Sequence, residues 1–234
     1  LQADLHFSIV QIHCSRHNTS PMQTIPPSKA ETSLLPPFAG LTLAQIVVVR
    51  SAAESAAAAA EILAAGVAGF DTESRPTFVP GAQSKGPHVL QFALPEKAFI
   101  FQLQQLENPQ PLAQLLQDEK LLKIGFELKS DRQHIQQKLG ISLAGALDLN
   151  NAFRQMGYGS STGARAAVGL VLQQNFRKSK HVSTSNWSLP QLTERQLLYA
   201  ANDAFAALKV YQALQRAGQQ MQTGQPAHTP HQPA

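Results

Sequence analysis

From about residue 41 onward, hydrophobic positions fall into two alternating rhythms. Short β-branched or aromatic runs recur: IVVV at 46–49, VAGFDTE at 67–73, HVLQFAL at 88–94 and AFIFQL at 98–103, then LLKIG at 121–125 and ALDL at 146–149. Such runs, bounded by Gly, Pro or Ser, read as strands. Between them lie helix-favouring stretches. SAAESAAAAAEILAA at 51–65 is stopped by Gly66, PLAQLLQDE follows from 111, and FELKSDRQHIQQKL at 126–139 is stopped by Gly140. Ala, Leu and Gln favour helix, and a following glycine supplies the left-handed turn that ends one. Two more helices are expected near 150–156 and 163–174. The last and longest starts at Thr193, where Thr193 and Gln196 make a capping-box pair, and runs through LLYAANDAFAALKVYQALQRA. A strand meander followed by strands alternating with helices predicts an α/β domain with a mixed central β-sheet flanked by α-helices. No internal repeat is present.

The flanks have a different character. Residues 1–40 are rich in Ser, Thr, Pro and His, with Pro-Pro at 26–27 and 36–37, and the stretch 218–234 is Gln, Pro and His. Neither composition supplies enough apolar surface to offset ordering, so a disordered leader over 1–40 and a disordered tail over 218–234 are expected around one domain at 41–217. The chain opens on Leu and a more ordinary start stands at Met22, so residues 1–21 read as a dispensable leader.

Composition narrows the function classes. The 234 residues are 43% hydrophobic and 15% charged, which suits one sizeable globular domain. Cys14 is the only cysteine, which rules out an intrachain disulfide framework. No apolar run approaches the roughly 18–20 residues that span a bilayer. The expectation is a soluble, cytoplasmic protein with no membrane partner. A net charge of +4 and a pI near 9.3 permit a polyanionic partner without demanding one. GYGSSTG at 157–163 lacks dinucleotide-site spacing, and no phosphate-binding loop motif occurs, so no nucleotide cofactor is expected. His13, Cys14 and His17 make a thin soft-metal set on the leader.

The chemistry concentrates in acids. In a strand, residues i and i+2 share a face, so Asp71 and Glu73 point together while Thr72 turns away. Two adjacent carboxylates repel unless a cation neutralises them, and an all-oxygen donor set suits Mg²⁺ or Mn²⁺ better than zinc. Asp131 falls in the early turns of the helix after LLKIG. Tyr199 and Asp203 stand at i and i+4 on an alanine-rich helix face, where a buried aspartate needs a partner. Asp148 reads as structural.

GFDTE, then GFELKSD, then YAANDA, in that order, resemble the three motifs of the DEDD superfamily of 3′–5′ exonucleases. Tyr199 four residues before Asp203 resembles the tyrosine subtype (DEDDy). The segment KSKHVSTSNWSLPQLTERQLLYAANDAFAALKVY is similar to the Werner-type and ribonuclease D-like branch. Over residues 42–216 the resemblance implies a ribonuclease H-like exonuclease fold. It implies two Mg²⁺ or Mn²⁺ ions, a nucleic acid with a free 3′ end as partner, and release of nucleoside 5′-monophosphates. Asp71, Glu73, Asp131 and Asp203 would hold the ions, with Asp71 bridging both, and Tyr199 would orient the attacking water. Glu127 departs from the glycine or asparagine that many members carry near that position, and reads as a first-turn helix glutamate.

Substrate contacts are expected from Lys178 and Lys180 in the basic stretch NFRKSKH, and from Thr72, Thr77, Phe78 and Lys85 around the loop RPTFVPGAQSKGPH. Trp187 reads as a packing anchor in preference to a base-stacking platform. DNA is favoured, because ribonuclease D proteins carry accessory helical domains after the nuclease and this chain ends without them. RNA 3′-end trimming is the alternative, and a non-catalytic nucleic-acid-binding module is the rival from another class.

Overall fold

The computed structural model describes residues 25–77, 85–158 and 162–223. Phe78, His13, Cys14 and His17 lie outside the described residues. The strands are β1 (Ile46–Val49), β2 (Val67–Glu73), β3 (Val89–Ala93), β4 (Ala98–Gln102), β5 (Leu122–Gly125) and β6 (Ala146–Asp148). The helices are α1 (Lys29–Ser33), α2 (Ala52–Ala65), α3 (Gln110–Gln117), α4 (Leu128–Leu139), α5 (Leu149–Gln155), α6 (Ala164–Leu172), α7 (Lys180–Ser183) and α8 (Glu194–Thr223).

The strands form one mixed sheet in the order β1-β4-β3-β2-β5-β6. β2 and β4 run antiparallel to β3 between them, while β2–β5, β5–β6 and β1–β4 are parallel. The hairpin-linked strands β3 and β4 are buried at every position, as their unbroken apolar sequences require. One face packs on α2 and α3 through Ile62, Leu112, Leu115 and Leu116, with Phe70, Phe92 and Phe101 stacked along the sheet. The other face is covered by α8 through Ala200, Ala201, Ala204 and Phe205.

Small residues let α8 approach closely. A Cβ at Gly69 would lie 2.0 Å from the carbonyl oxygen of Ala204, so helix backbone rests directly on the middle of β2. The start of α8 has the expected reciprocal cap: Gln196 N donates to Thr193 Oγ1 (3.3 Å) and Thr193 N donates to Gln196 Oε1 (3.0 Å). The Gln196 amide also donates to Ser185 Oγ and the Asn186 carbonyl, and Trp187 Nε1 donates to the Ser183 carbonyl, with the indole 1% exposed. Trp187 is therefore a packing anchor that fixes the loop before α8.

Two boundaries differ from the expectation. Residues 28–40 are ordered against the domain: Ser28 and Glu31 cap α1 reciprocally, buried Thr32 sits on Gly169 of α6, and Phe38 packs edge-on against Phe176 at 5.0 Å. Backbone bonds between Phe38 and Asn175 and between Asn175 and Pro36 tie this segment down, as does the Asn202 amide across Leu41. At the other end, α8 continues past 217 to Thr223, since Gly218 alone does not stop a helix that lacks a following cap.

Lys123 within β5 is fully buried, and its ammonium donates to the carbonyls of Leu115, Asp118 and Leu121, closing the end of α3. Burial pushes its pKa down to about 8. Glu127 precedes α4 with φ 58°, in the left-handed region where a Cβ is penalised. That conformation accounts for glycine or asparagine being suitable there. Glu127→Gly is expected to leave the protein as stable or up to about 1 kcal/mol more stable, read from urea unfolding.

Candidate active site

The acid cluster forms where β2 ends against α8. Strand alternation puts Asp71 and Glu73 on one side, and the Gly69–Ala204 contact brings the preceding residue of α8, Asp203, beside them. Oxygens of Asp71, Glu73 and Asp203 all lie within 4.8 Å of one another. Glu73 is 9% exposed and Asp203 4%, so two of the three carboxyls are largely withdrawn from solvent. Burial pushes the Asp71 carboxyl well above the usual range, with Asp131 and Asp203 adding to the rise. Glu73 is raised by burial, Asp71 and Asp203. For Asp203, burial raises the pKa while the Lys178 ammonium and the Tyr199 hydroxyl oppose the rise.

Asp131 stands apart from the trio. It projects from the first turn of α4, is 7% exposed, and accepts a hydrogen bond from the Thr72 hydroxyl. Thr72 thus turns from the cluster face, as alternation requires, but its side chain holds Asp131. Burial raises the Asp131 pKa, and the Thr72 hydroxyl opposes it. Asp148, at the end of β6, accepts from the backbone N–H groups of Glu127, Leu128 and Asn150, so one carboxylate caps α4 and α5 together. That is the structural role expected of it.

Asp71, Thr72, Asp131, Asp203, Lys178 and Arg165 line a pocket of about 620 Å³, open to the surface beside α6. Asp203 also lines a second, more apolar pocket of about 750 Å³ that includes Tyr199, Phe38, Phe176 and Val182. The Tyr199 ring is half-buried and tilted against Trp187 at 6.0 Å. Burial and the neighbouring Asp203 push the Tyr199 hydroxyl above its ordinary pKa, which favours the protonated form that can donate a hydrogen bond.

The expected substrate contacts fare unevenly. Lys178 does not stand free in a phosphate-binding loop: its ammonium is 2.7 Å from Asp203 Oδ2 and 5.5 Å above the centre of the Tyr199 ring. The reason lies in packing: buried Phe176 on one side and the Ser179 cap of α7 on the other aim residue 178 into the cluster. Lys180 is exposed on α7, and neither it nor Thr77 nor Lys85 lines the pocket. Arg165, absent from the expected set, does line it, and its Nε is buried without a hydrogen-bond partner. Its only sequence signal is a cation at the second residue of a helix, which carries no information about the pocket that helix faces.

The donor set fits a hard divalent ion. Three carboxylates with raised pKa values need positive charge, and Asp203 Oδ1 has no hydrogen-bond partner. All donors are oxygen, which suits a cation of the magnesium class.

Comparison with known proteins gives the same picture. The 3′–5′ exonuclease family matches residues 46–219. A mouse relative, the bifunctional 3′–5′ exonuclease/ATP-dependent helicase WRN, is 32% identical over 155 residues, covering 65% of this chain, which spans only 11% of that relative's length. Among solved structures, the Nibbler EXO domain of Aedes aegypti superposes with a TM-score of 0.67 at 22% identity, covering 78% of this chain and 92% of that one. Trypanosoma brucei RNase D in complex with RNA U12 superposes with a TM-score of 0.64 at 18% identity, covering 86% and 76%. At those identities the two structures show the fold, a ribonuclease H-like exonuclease domain. Among the described residues no helix is long and apolar enough to cross a membrane. With the match covering most of its length, Asp71, Asp131 and Asp203 lining one pocket and Glu73 beside two of them, the chain belongs to the 3′–5′ exonuclease family.

Proposed function

We propose that this chain hydrolyses the 3′-terminal phosphodiester of a nucleic acid with Mg²⁺ or Mn²⁺ and releases nucleoside 5′-monophosphates. One observation carries the reading: Asp71, Glu73 and Asp203 converge within 4.8 Å, and Asp71 and Asp203 of that trio line a surface pocket, in a chain from this family. Two bound divalent ions would supply an activated water and neutralise charge on the departing 3′ oxygen. Asp71, Glu73, Asp203 and Asp131 would hold the ions, with Asp71 shared between them as the family resemblance implies and Asp131 steadied by the Thr72 hydroxyl. Tyr199 is assigned to the tyrosine subtype's role, donating from its hydroxyl to orient the nucleophile beside Asp203. Arg165 is assigned to the substrate phosphate, whose charge its guanidinium complements.

Tyr199→Phe is expected to slow turnover by about 10- to 100-fold with little change in KM, since an orienting hydroxyl acts mainly in the transition state. Single-turnover kinetics check this, and an unchanged rate constant removes Tyr199 from the reaction. The polarity and product of the reaction are tested by chromatography of the material released from 5′-labelled oligonucleotides. Nucleoside 5′-monophosphates appearing one at a time support the proposal; 3′-monophosphates or internal fragments contradict it. DNA is the first choice of substrate, in keeping with the resemblance of the segment before Asp203 to the Werner-type branch. RNA trimming is the second reading, supported by the fold shared with the RNA-bound RNase D.

A further inference from the structure

Lys178 is the one cation seen to touch the acid cluster among the described residues, and its position is built. Phe176 is buried against Phe38, Ser179 Oγ accepts from Val182 N to start α7, and Trp187 anchors the far end of the loop. The backbone on both sides of residue 178 is thus held, leaving the side chain to reach inward to Asp203 Oδ2 at 2.7 Å over the face of Tyr199. The side chain nevertheless remains 36% exposed, against 3% for Asp203, so the long lysine has room to swing outward while the short carboxylate stays in the cluster. An ammonium and a divalent ion cannot occupy the same contact on one carboxylate oxygen. Asp71 and Glu73 beside Asp203 bring further negative charge.

We propose that Lys178 is the internal counter-cation of the acid cluster, holding Asp203 until a divalent ion arrives and yielding that place to it. Lys178 is thereby a positioning residue that competes with the metal and sets its affinity. It neutralises a buried carboxylate that would otherwise be left unpaired beside two others, which is costly. It also keeps Asp203 and Tyr199 in their working arrangement before the metal binds. The inference rests on the acid cluster being a cation site, as proposed above.

The test compares Mn²⁺ binding by titration calorimetry and melting in EDTA for the full chain, Lys178→Met and Lys178→Arg. Competition predicts that Lys178→Met binds Mn²⁺ about tenfold more tightly than the wild type, a typical size for two sites coupled through one group. The same variant should melt lower than the wild type in EDTA and close to it in saturating Mn²⁺. Lys178→Arg, which keeps the charge, should bind Mn²⁺ less tightly than Lys178→Met. Unchanged or weakened Mn²⁺ affinity in Lys178→Met overturns the inference, as does a melting loss of equal size with and without Mn²⁺. Should Lys178→Met not fold, the wild type decides. In ¹⁵N-lysine-labelled protein one ammonium resonance should be protected from water exchange in EDTA and lose protection as Mg²⁺ is added; protection that survives saturating Mg²⁺ overturns the proposal. Failure of the wild type to bind Mn²⁺ at all sinks the metal-site reading itself, a result distinct from binding that Lys178 does not influence.

Discussion

Asp203→Asn is expected to lower the rate of nucleotide release by at least about 10³-fold, with the fold retained, because it removes charge at the centre of the site without changing its shape. Asp203 is 4% exposed, stands within 4.8 Å of both Asp71 and Glu73, and has one oxygen without a hydrogen-bond partner. Asparagine keeps the volume but offers a neutral oxygen in place of an anionic one, which weakens a hard cation's hold. Circular dichroism and melting temperature establish that the variant is folded, and single-turnover kinetics read the rate. A variant within tenfold of the wild type would remove Asp203 from the chemistry.

Gly69→Ala should have the largest effect on stability. Its new Cβ would lie 2.0 Å from the Ala204 oxygen, 2.8 Å from the Ala204 carbonyl carbon and 3.1 Å from Leu208 Cβ. The first two are backbone atoms of α8, so neither can rotate away, and relief requires the helix to move off the sheet. A cost of about 3 kcal/mol, at the upper end for overpacking, is expected in urea unfolding. Asp203 is the residue before Ala204, so the displacement also draws it away from Asp71 and Glu73. Activity should fall even at temperatures where the variant is fully folded. A variant of wild-type stability and rate would show that α8 does not depend on this contact to place Asp203.

Most of the framework was legible because each element carries its own signal. The β-branched and aromatic runs of β1 to β4, the alanine-rich α2 with its Gly66 stop, and the Thr193–Gln196 cap state locally what they become. The acids were legible through order and spacing, since i, i+2 on a strand and i, i+4 on a helix fix directions without tertiary knowledge. What spacing cannot give is distance between elements. Asp131 lines the same pocket as Asp71 and Asp203, but its hydrogen bond from Thr72 could not be read from spacing, because how α4 sits against β2 depends on packing. Lys178, 25 positions before Asp203, looked like a phosphate contact because nothing local shows that buried Phe176 and the α7 cap turn it inward. Burial of Lys123 was equally hidden, since its partners are carbonyls supplied by the end of α3. The α1 segment did have a local signal, Ser28 and Glu31 at capping-box spacing, which its Pro- and Ser-rich surroundings masked.

The central claim is that this acid cluster, with a divalent ion, removes nucleotides from a 3′ end. Its most direct test is a denaturing-gel time course on 5′-labelled DNA and RNA, single-stranded and 3′-recessed, with Mg²⁺, Mn²⁺ or EDTA, beside Asp203→Asn. The expected result is a ladder shortening from the 3′ end, faster on DNA, that disappears in EDTA and in the variant. Shortening that persists in EDTA or in Asp203→Asn would contradict the account, and binding of every substrate with no shortening would make the chain a nucleic-acid-binding module built on an exonuclease fold.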